Sequence, residues 1–157
     1  MHQDKLLTDN RFDEKVLNYL PHRPPMLLVN KVLEVSLEHA IGEVILDEQA
    51  PFMTKQGVPA VIGIEYMGQT AALIAGYQLE QGNTEPHLGF LLGTRAYSSE
   101  QEFFLTGQNL IIECQEKAIV GDSLATFDCS IRTSTSSESI ARASLSVFRK
   151  PLESHHA

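Results

Sequence analysis

Two hydrophobic patterns divide the chain. In its last third apolar and polar residues alternate singly. Phe127, Cys129 and Ile131 alternate with Asp128, Ser130 and Arg132, and Ala141, Ala143, Leu145 and Val147 with Arg142, Ser144 and Ser146. A period of two predicts strands with one buried and one wet face. Four strands are expected in this half, over 87–99, 109–120, 123–134 and 138–150, with VGD and TSTSSES as turns between the last three. Residues 26–36 and 40–46 are rich in aliphatic and β-branched residues and predict two earlier strands, joined by a turn at Leu37–His39. Between the two sets lies GVPAVIGIEYMGQTAALIAGY, Gly57 to Tyr77. Its Ala, Leu, Met and Gln content predicts a helix from Pro59 to about Leu79, since a proline is tolerated in a first turn. Apolar residues fall on nearly every side of that helix, the pattern of a buried element. Gly82 and Asn83 mark its end.

A short helix is expected near the start, capped by Asp9 or Asn10, with Phe12, Val16 and Tyr19/Leu20 on one face. LPHRPP ends it, because neither proline can continue a helix. Residues 47–57 read as a loop. One long apolar helix needs a surface to cover it, and an antiparallel sheet wrapped around it supplies one. The class is therefore α+β, in a single domain spanning 1–157, with 1–10 and 152–157 loosely ordered.

Charge and composition narrow the function classes. The 157 residues carry a net charge of −8, which opposes non-specific nucleic-acid binding. The longest weakly polar stretch is interrupted by Glu65, Gln69 and Thr70, so no membrane span is expected. No signal-type apolar run opens the chain, and a cytoplasmic location follows as the expectation. Cys114 and Cys129 read as core fillers in a reduced compartment. His155 and His156 lie in the tail. No P-loop, GxGxxG or HExxH is present, and no metal or cofactor is expected.

Glu65 is the anomaly: one carboxylate among apolar neighbours near a helix start. It suits the positive end of the helix dipole as a surface residue. It also suits acid–base work in an apolar cleft, where desolvation moves a carboxyl toward neutrality. Gln69, one turn on, could orient Glu65 or touch a substrate. Pro59, Ala60 and Val61 open the helix, and its free N–H groups suit an oxyanion.

LPHRPPMLLVNKVLEV resembles the LPHR-x-P-x-LLVDRV signature of bacterial 3-hydroxyacyl-acyl-carrier-protein dehydratases, and GVPAVIGIEYMGQTAA resembles their MPGVLxxEAMAQ motif. The likeness runs from about Leu20 to the last strand and is greatest to the divergent dehydratase-like proteins of aryl-polyene lipid biosynthesis. It implies a hotdog fold that forms dimers, with acyl-thioester tunnels at the interface and no cofactor. It implies an acyl carrier protein or acyl-CoA thioester as partner, and a site pairing a histidine of one subunit with a helix carboxylate of the other. The carboxylate matches Glu65, the glutamine Gln69, and the glycine whose N–H polarises the thioester matches Ala60. The family's histidine lies eight residues before the motif's proline; here that position is Pro51.

The base must then come from elsewhere. His22 is one candidate, although it also suits a structural role at the helix-to-strand turn. His87 and His39 read as turn residues. A histidine-bearing homologue in a hetero-oligomer is another source. Lys55, Arg23, Arg95 and Arg142 could form a basic patch for an acidic carrier protein. Three readings stand: a dehydratase-like enzyme, an acyl thioesterase in which Glu65 activates water or attacks the carbonyl, and a non-catalytic acyl-binding subunit.

Overall fold

The computed structural model describes residues 11–82, 87–121 and 123–151, and only the backbone of residues 87–92 and 149–151. The expected ends, 1–10 and 152–157, lie outside the described residues, as do Asn83, His155 and His156.

The first helix, α1, is Glu14–Tyr19. Its cap is Asp13, whose Oδ1 accepts from Val16 N at 2.8 Å. Asp9 and Asn10, the expected caps, lie outside the described residues. Asp13 serves twice: its Oδ2 also accepts from Val32 N at 2.9 Å, tying helix to strand.

Eight strands follow: β1 (Lys31–Val35), β2 (His39–Ile45), β3 (Val58–Pro59), β4 (His87–Ser99), β5 (Phe103–Phe104), β6 (Asn109–Val120), β7 (Leu124–Thr133) and β8 (Ser139–Pro151). Six form one sheet in the order β1-β2-β6-β7-β8-β4, antiparallel throughout, which leaves β1 and β4 at the edges. The central helix, α2 (Gly63–Glu80), lies against one face. The inward positions of β2 are Ala40, Gly42 and Val44. A Cβ on Gly42 would come within 3.0 Å of Val29 Cγ1 and 3.1 Å of Thr70 Oγ1. Cys114, Ile112, Ile131 and Leu145 continue this buried face across β6, β7 and β8. The period-two reading of these strands is thereby met.

Three expectations change. The strand predicted over 26–36 begins only at Lys31, because Met26–Asn30 is bonded elsewhere: Asn30 Oδ1 accepts from Ile45 N at 2.8 Å, and Gln69 takes the backbone before it. The helix predicted from Pro59 begins later. Val58–Pro59 pair with Phe104–Phe103 as a two-stranded ribbon, Ala60–Ile62 form one 3₁₀ turn, and the α-helix starts at Gly63. Neither short strand carries a periodicity long enough to read. Finally, α2 is buried on one side only. Gly63, Tyr66, Met67, Thr70, Ala71, Ile74 and Gln78 face the core. Val61, Glu65 and Leu79 are exposed, and Gly68, Ala72 and Ala75 between them are only half-buried. The spacing 61, 65, 68, 72, 75, 79 is one helical stripe that this chain leaves uncovered.

α1 packs on the far end of α2. Gly76 lies where any Cβ would run into the Tyr19 carbonyl oxygen and within 2.8 Å of Tyr19 Cα. No described helix is long and apolar enough to cross a membrane.

Candidate functional site

The start of α2 is clamped on its inner side. Gly57 takes φ +123°, and a Cβ there would strike the Phe104 carbonyl oxygen, so only glycine brings the loop this close to β5. One step on, Ala60 N donates to Glu102 O at 2.9 Å. Ala60 O accepts from the Tyr97 hydroxyl at 2.5 Å. The expectation that Ala60 supplies a free N–H for a thioester carbonyl is therefore corrected: that donor is spent on β-ribbon backbone. Pro59 has none. The first N–H of this turn without such a partner belongs to Val61, whose residue is 62% exposed.

Glu65 stands one turn further, exposed, on the uncovered stripe. The interface tunnel that the resemblance implies for it would need a second subunit against α2. His22 is half-buried, and its Nδ1 is buried without a hydrogen-bond partner. Burial lowers the His22 pKa below its ordinary value, and the Glu65 charge offsets part of that shift. The backbone-bonding role weighed for His22 is not seen at Nδ1.

Gln69 is corrected as well. It is 4% exposed. Its Oε1 accepts from Leu28 N at 2.8 Å and Val29 N at 3.3 Å, and its Nε2 donates to Met26 O at 2.8 Å. Its amide neither orients Glu65 nor faces a substrate; it straps the segment following His22 onto the helix. Arg23 is committed too, donating to the carbonyls of Leu17, Leu20 and His22 at the end of α1. These bonds fix the direction of its guanidinium but leave its charge exposed. Arg95 and Arg142 share a shallow groove of about 480 Å³ on the sheet, with Glu113, Gln115, Asp128 and Ser144; neither Glu65 nor His22 lines it.

Pro51, at the position that the resemblance gives to the family's histidine, is half-buried next to Phe52, which takes φ +67° and is exposed. His39 is no turn residue: it opens β2 and bridges Glu113 (Nε2 to Oε2, 2.6 Å) and Glu34 (Nδ1 to Oε2, 3.1 Å). The His87 side chain lies outside the described residues. Cys114 and Cys129 face each other across β6 and β7, both buried and free. Burial pushes the Cys114 thiol pKa up, as a core filler requires. Among the described residues no cluster of three or more His, Cys, Asp and Glu side chains could hold a metal.

Tyr97 was illegible in sequence. Simple alternation from the exposed Arg95 puts residue 97 on the outer face. A bulge in β4 sets two residues, Ala96 and Tyr97, against Ala143 alone and turns the ring inward; Ala96 takes φ +54° to allow it.

A family model described as ApeP-like, ApeP dehydratase, matches residues 14–157. A chain of the dehydratase heterocomplex ApeI:P from Xenorhabdus doucetiae superposes with a TM-score of 0.78 at 25% identity, over 88% of this chain and 91% of that one. The 3-hydroxyacyl-acyl-carrier-protein dehydratase FabZ of Shewanella sediminis is 33% identical over 86 residues, 51% of this chain and 56% of that protein. FabZ of Syntrophobacter fumaroxidans is 38% identical over 66 residues, 39% and 45% respectively. The chain spans about half the length of these curated relatives. A Streptococcus pneumoniae thioesterase-type protein with coenzyme A shares the fold alone, with a TM-score of 0.60 at 11% identity over 78% of this chain and 87% of that one. The expected hotdog fold is what these neighbours share.

Proposed function

The chain belongs to the ApeP-like dehydratase family, and from that premise we propose that it is the carboxylate-bearing subunit of a 3-hydroxyacyl-thioester dehydratase in fatty-acid or aryl-polyene-type lipid synthesis. Its substrate is an acyl chain on a carrier protein or coenzyme A. The observation that carries this is the position of Glu65: at the start of α2, on a helical stripe that is exposed or half-buried among the described residues. A second subunit laid along that stripe encloses Glu65 and completes a site between chains. The heterocomplex named for the ApeI:P neighbour supports a second, different subunit in that place, and in this reading that subunit bears the histidine; a homodimer or higher oligomer is the alternative assembly.

The chemistry is redox-neutral and needs no cofactor. A neutral imidazole removes a proton from the carbon next to the thioester. The negative charge develops on the thioester oxygen, where the Val61 N–H is the nearest unspent backbone donor. The 3-hydroxyl leaves as water with a proton from the Glu65 carboxyl, and the proton held by the imidazole restores the pair. Dehydration is preferred to thioester hydrolysis because the chain belongs to a dehydratase family, while the thioesterase-type neighbour shares the fold alone.

His22 supports a second reading, in which the base lies on the same chain. Its buried Nδ1, which no other group among the described residues occupies, favours it.

The test is to incubate the chain, alone and with a histidine-bearing homologue, with 3-hydroxyacyl and plain acyl thioesters. Enoyl product and free thiol are followed separately. Glu65→Gln is expected to abolish enoyl formation without changing assembly. Thiol release without enoyl product overturns the dehydratase reading in favour of a thioesterase, and an unchanged rate in Glu65→Gln removes Glu65 from the chemistry. Ligand retention with no turnover in any mixture assigns the acyl-binding role instead. Full activity of His22→Ala removes His22 as base.

A further inference from the structure

We propose that Tyr97 is a positioning residue that aims and strengthens the Val61 N–H as the donor to the thioester oxygen. This rests on the reading that the start of α2 polarises an acyl carbonyl.

Four features converge on one hydroxyl. The β4 bulge exists at residues 96–97, where Ala96 holds a left-handed φ of +54°, a conformation that a residue with a Cβ adopts only under constraint from its surroundings. Opposite it, Gly63 has no side chain; a Cβ there would overlap the Tyr97 hydroxyl and stand 3.0 Å from Ile131 Cδ1. The hydroxyl itself donates to Ala60 O. And the Ala60 N–H is already held by Glu102 O. Ala60 is thus gripped at both of its polar backbone atoms.

The consequence follows from peptide geometry. Ala60 C=O and Val61 N–H belong to one planar, trans peptide unit, so they point in opposite directions. The carbonyl takes two donors, the Tyr97 hydroxyl from β4 and the Gly63 N–H from its own 3₁₀ turn, and together they fix the Val61 N–H on the side of the turn away from β4. A donor to the carbonyl oxygen also polarises the amide and makes the N–H on its other side a better donor. Ala60 cannot play this part with its own N–H, and Pro59 has none, so Val61 is the first donor available. Tyr97 touches neither the acyl group nor the reacting atoms and acts only through this peptide. Burial raises its own pKa above the ordinary value, so it remains an O–H donor throughout the neutral range.

Tyr97→Phe keeps the ring and removes the hydroxyl. In the assembled complex, kcat for dehydration is expected to fall about tenfold with KM within about twofold, less than the loss on removing a direct oxyanion donor. The pH dependence of kcat is expected to keep its shape, because no proton passes through Tyr97. Independently of turnover, the Val61 amide in the ¹H–¹⁵N spectrum is expected to shift upfield in Tyr97→Phe while amides of the β6–β7 ladder stay unmoved. A kcat within twofold of the parent overturns the catalytic part of the proposal. An unmoved Val61 amide overturns the geometric part. If the parent forms no enoyl product with any partner, the dehydratase reading fails, and the amide shift still decides whether Tyr97 sets this peptide.

Discussion

Replacing Gln69 by Leu tests whether a side chain of the helix, not a strand ladder, holds the segment after His22 in place. The substitution keeps bulk and removes three hydrogen bonds. Leu28 and Val29 are buried, and their N–H groups share Oε1 at 2.8 and 3.3 Å. Met26 is 65% exposed, so water can replace Nε2 on its carbonyl. The short bond to Leu28 N therefore counts in full, at about 1–3 kcal/mol for an unsatisfied buried donor, and the longer one to Val29 N counts for less. The sum is about 2–4 kcal/mol. At about 2–4 °C per kcal/mol for a chain of this size, the melting temperature falls by roughly 5–15 °C. Urea unfolding followed by far-ultraviolet circular dichroism measures both the midpoint and its slope. Gln69→Glu sharpens the test. It keeps the acceptor for Leu28 and Val29 but turns a carboxylate oxygen on the Met26 carbonyl. Burial and that carbonyl raise the folded-state pKa above the unfolded carboxyl value of about 4.3. The protonated form then fits the fold, so this variant is most stable below about pH 4 and loses stability as pH rises through its raised folded-state value. A loss under about 0.5 kcal/mol in Gln69→Leu, or an acid-independent Gln69→Glu, would refute the strap.

Gly76→Ala must push apart α1 and α2, since its Cβ meets Tyr19 backbone rather than a yielding side chain; a loss of about 1–3 kcal/mol in urea unfolding is expected. His22→Gln removes a group whose folded pKa lies below its ordinary 6.5. Above pH 6.5 both states are neutral there; as pH falls toward the folded value the unfolded chain protonates first and stability is lost. The parent is therefore expected to lose more stability than His22→Gln between pH 7.5 and 5.5, read as the difference in urea midpoints.

The order of the helices and the six longer strands, the α+β class and the faces of β7 and β8 were legible in the sequence, because single alternation over six or seven residues admits only one register against a buried side. The sequence also singled out Glu65, since a carboxylate in an apolar helix start is rare enough to notice. Its chemical setting needed the fold. The helix reads as buried all round, yet its own sheet covers only one side of it, and a hydropathy pattern does not say what lies along Glu65, Gly68, Ala72 and Ala75. Gln69 looked like a partner of Glu65 at i,i+4, yet its amide reaches backbone some forty positions earlier. Ala60 kept the place of a donor, and tertiary contacts with Glu102 and Tyr97 took both its polar atoms. Tyr97 itself entered the site through one extra residue in β4. A bulge is a misfit between two strands, set by where β4 meets β8, and neither strand carries it alone.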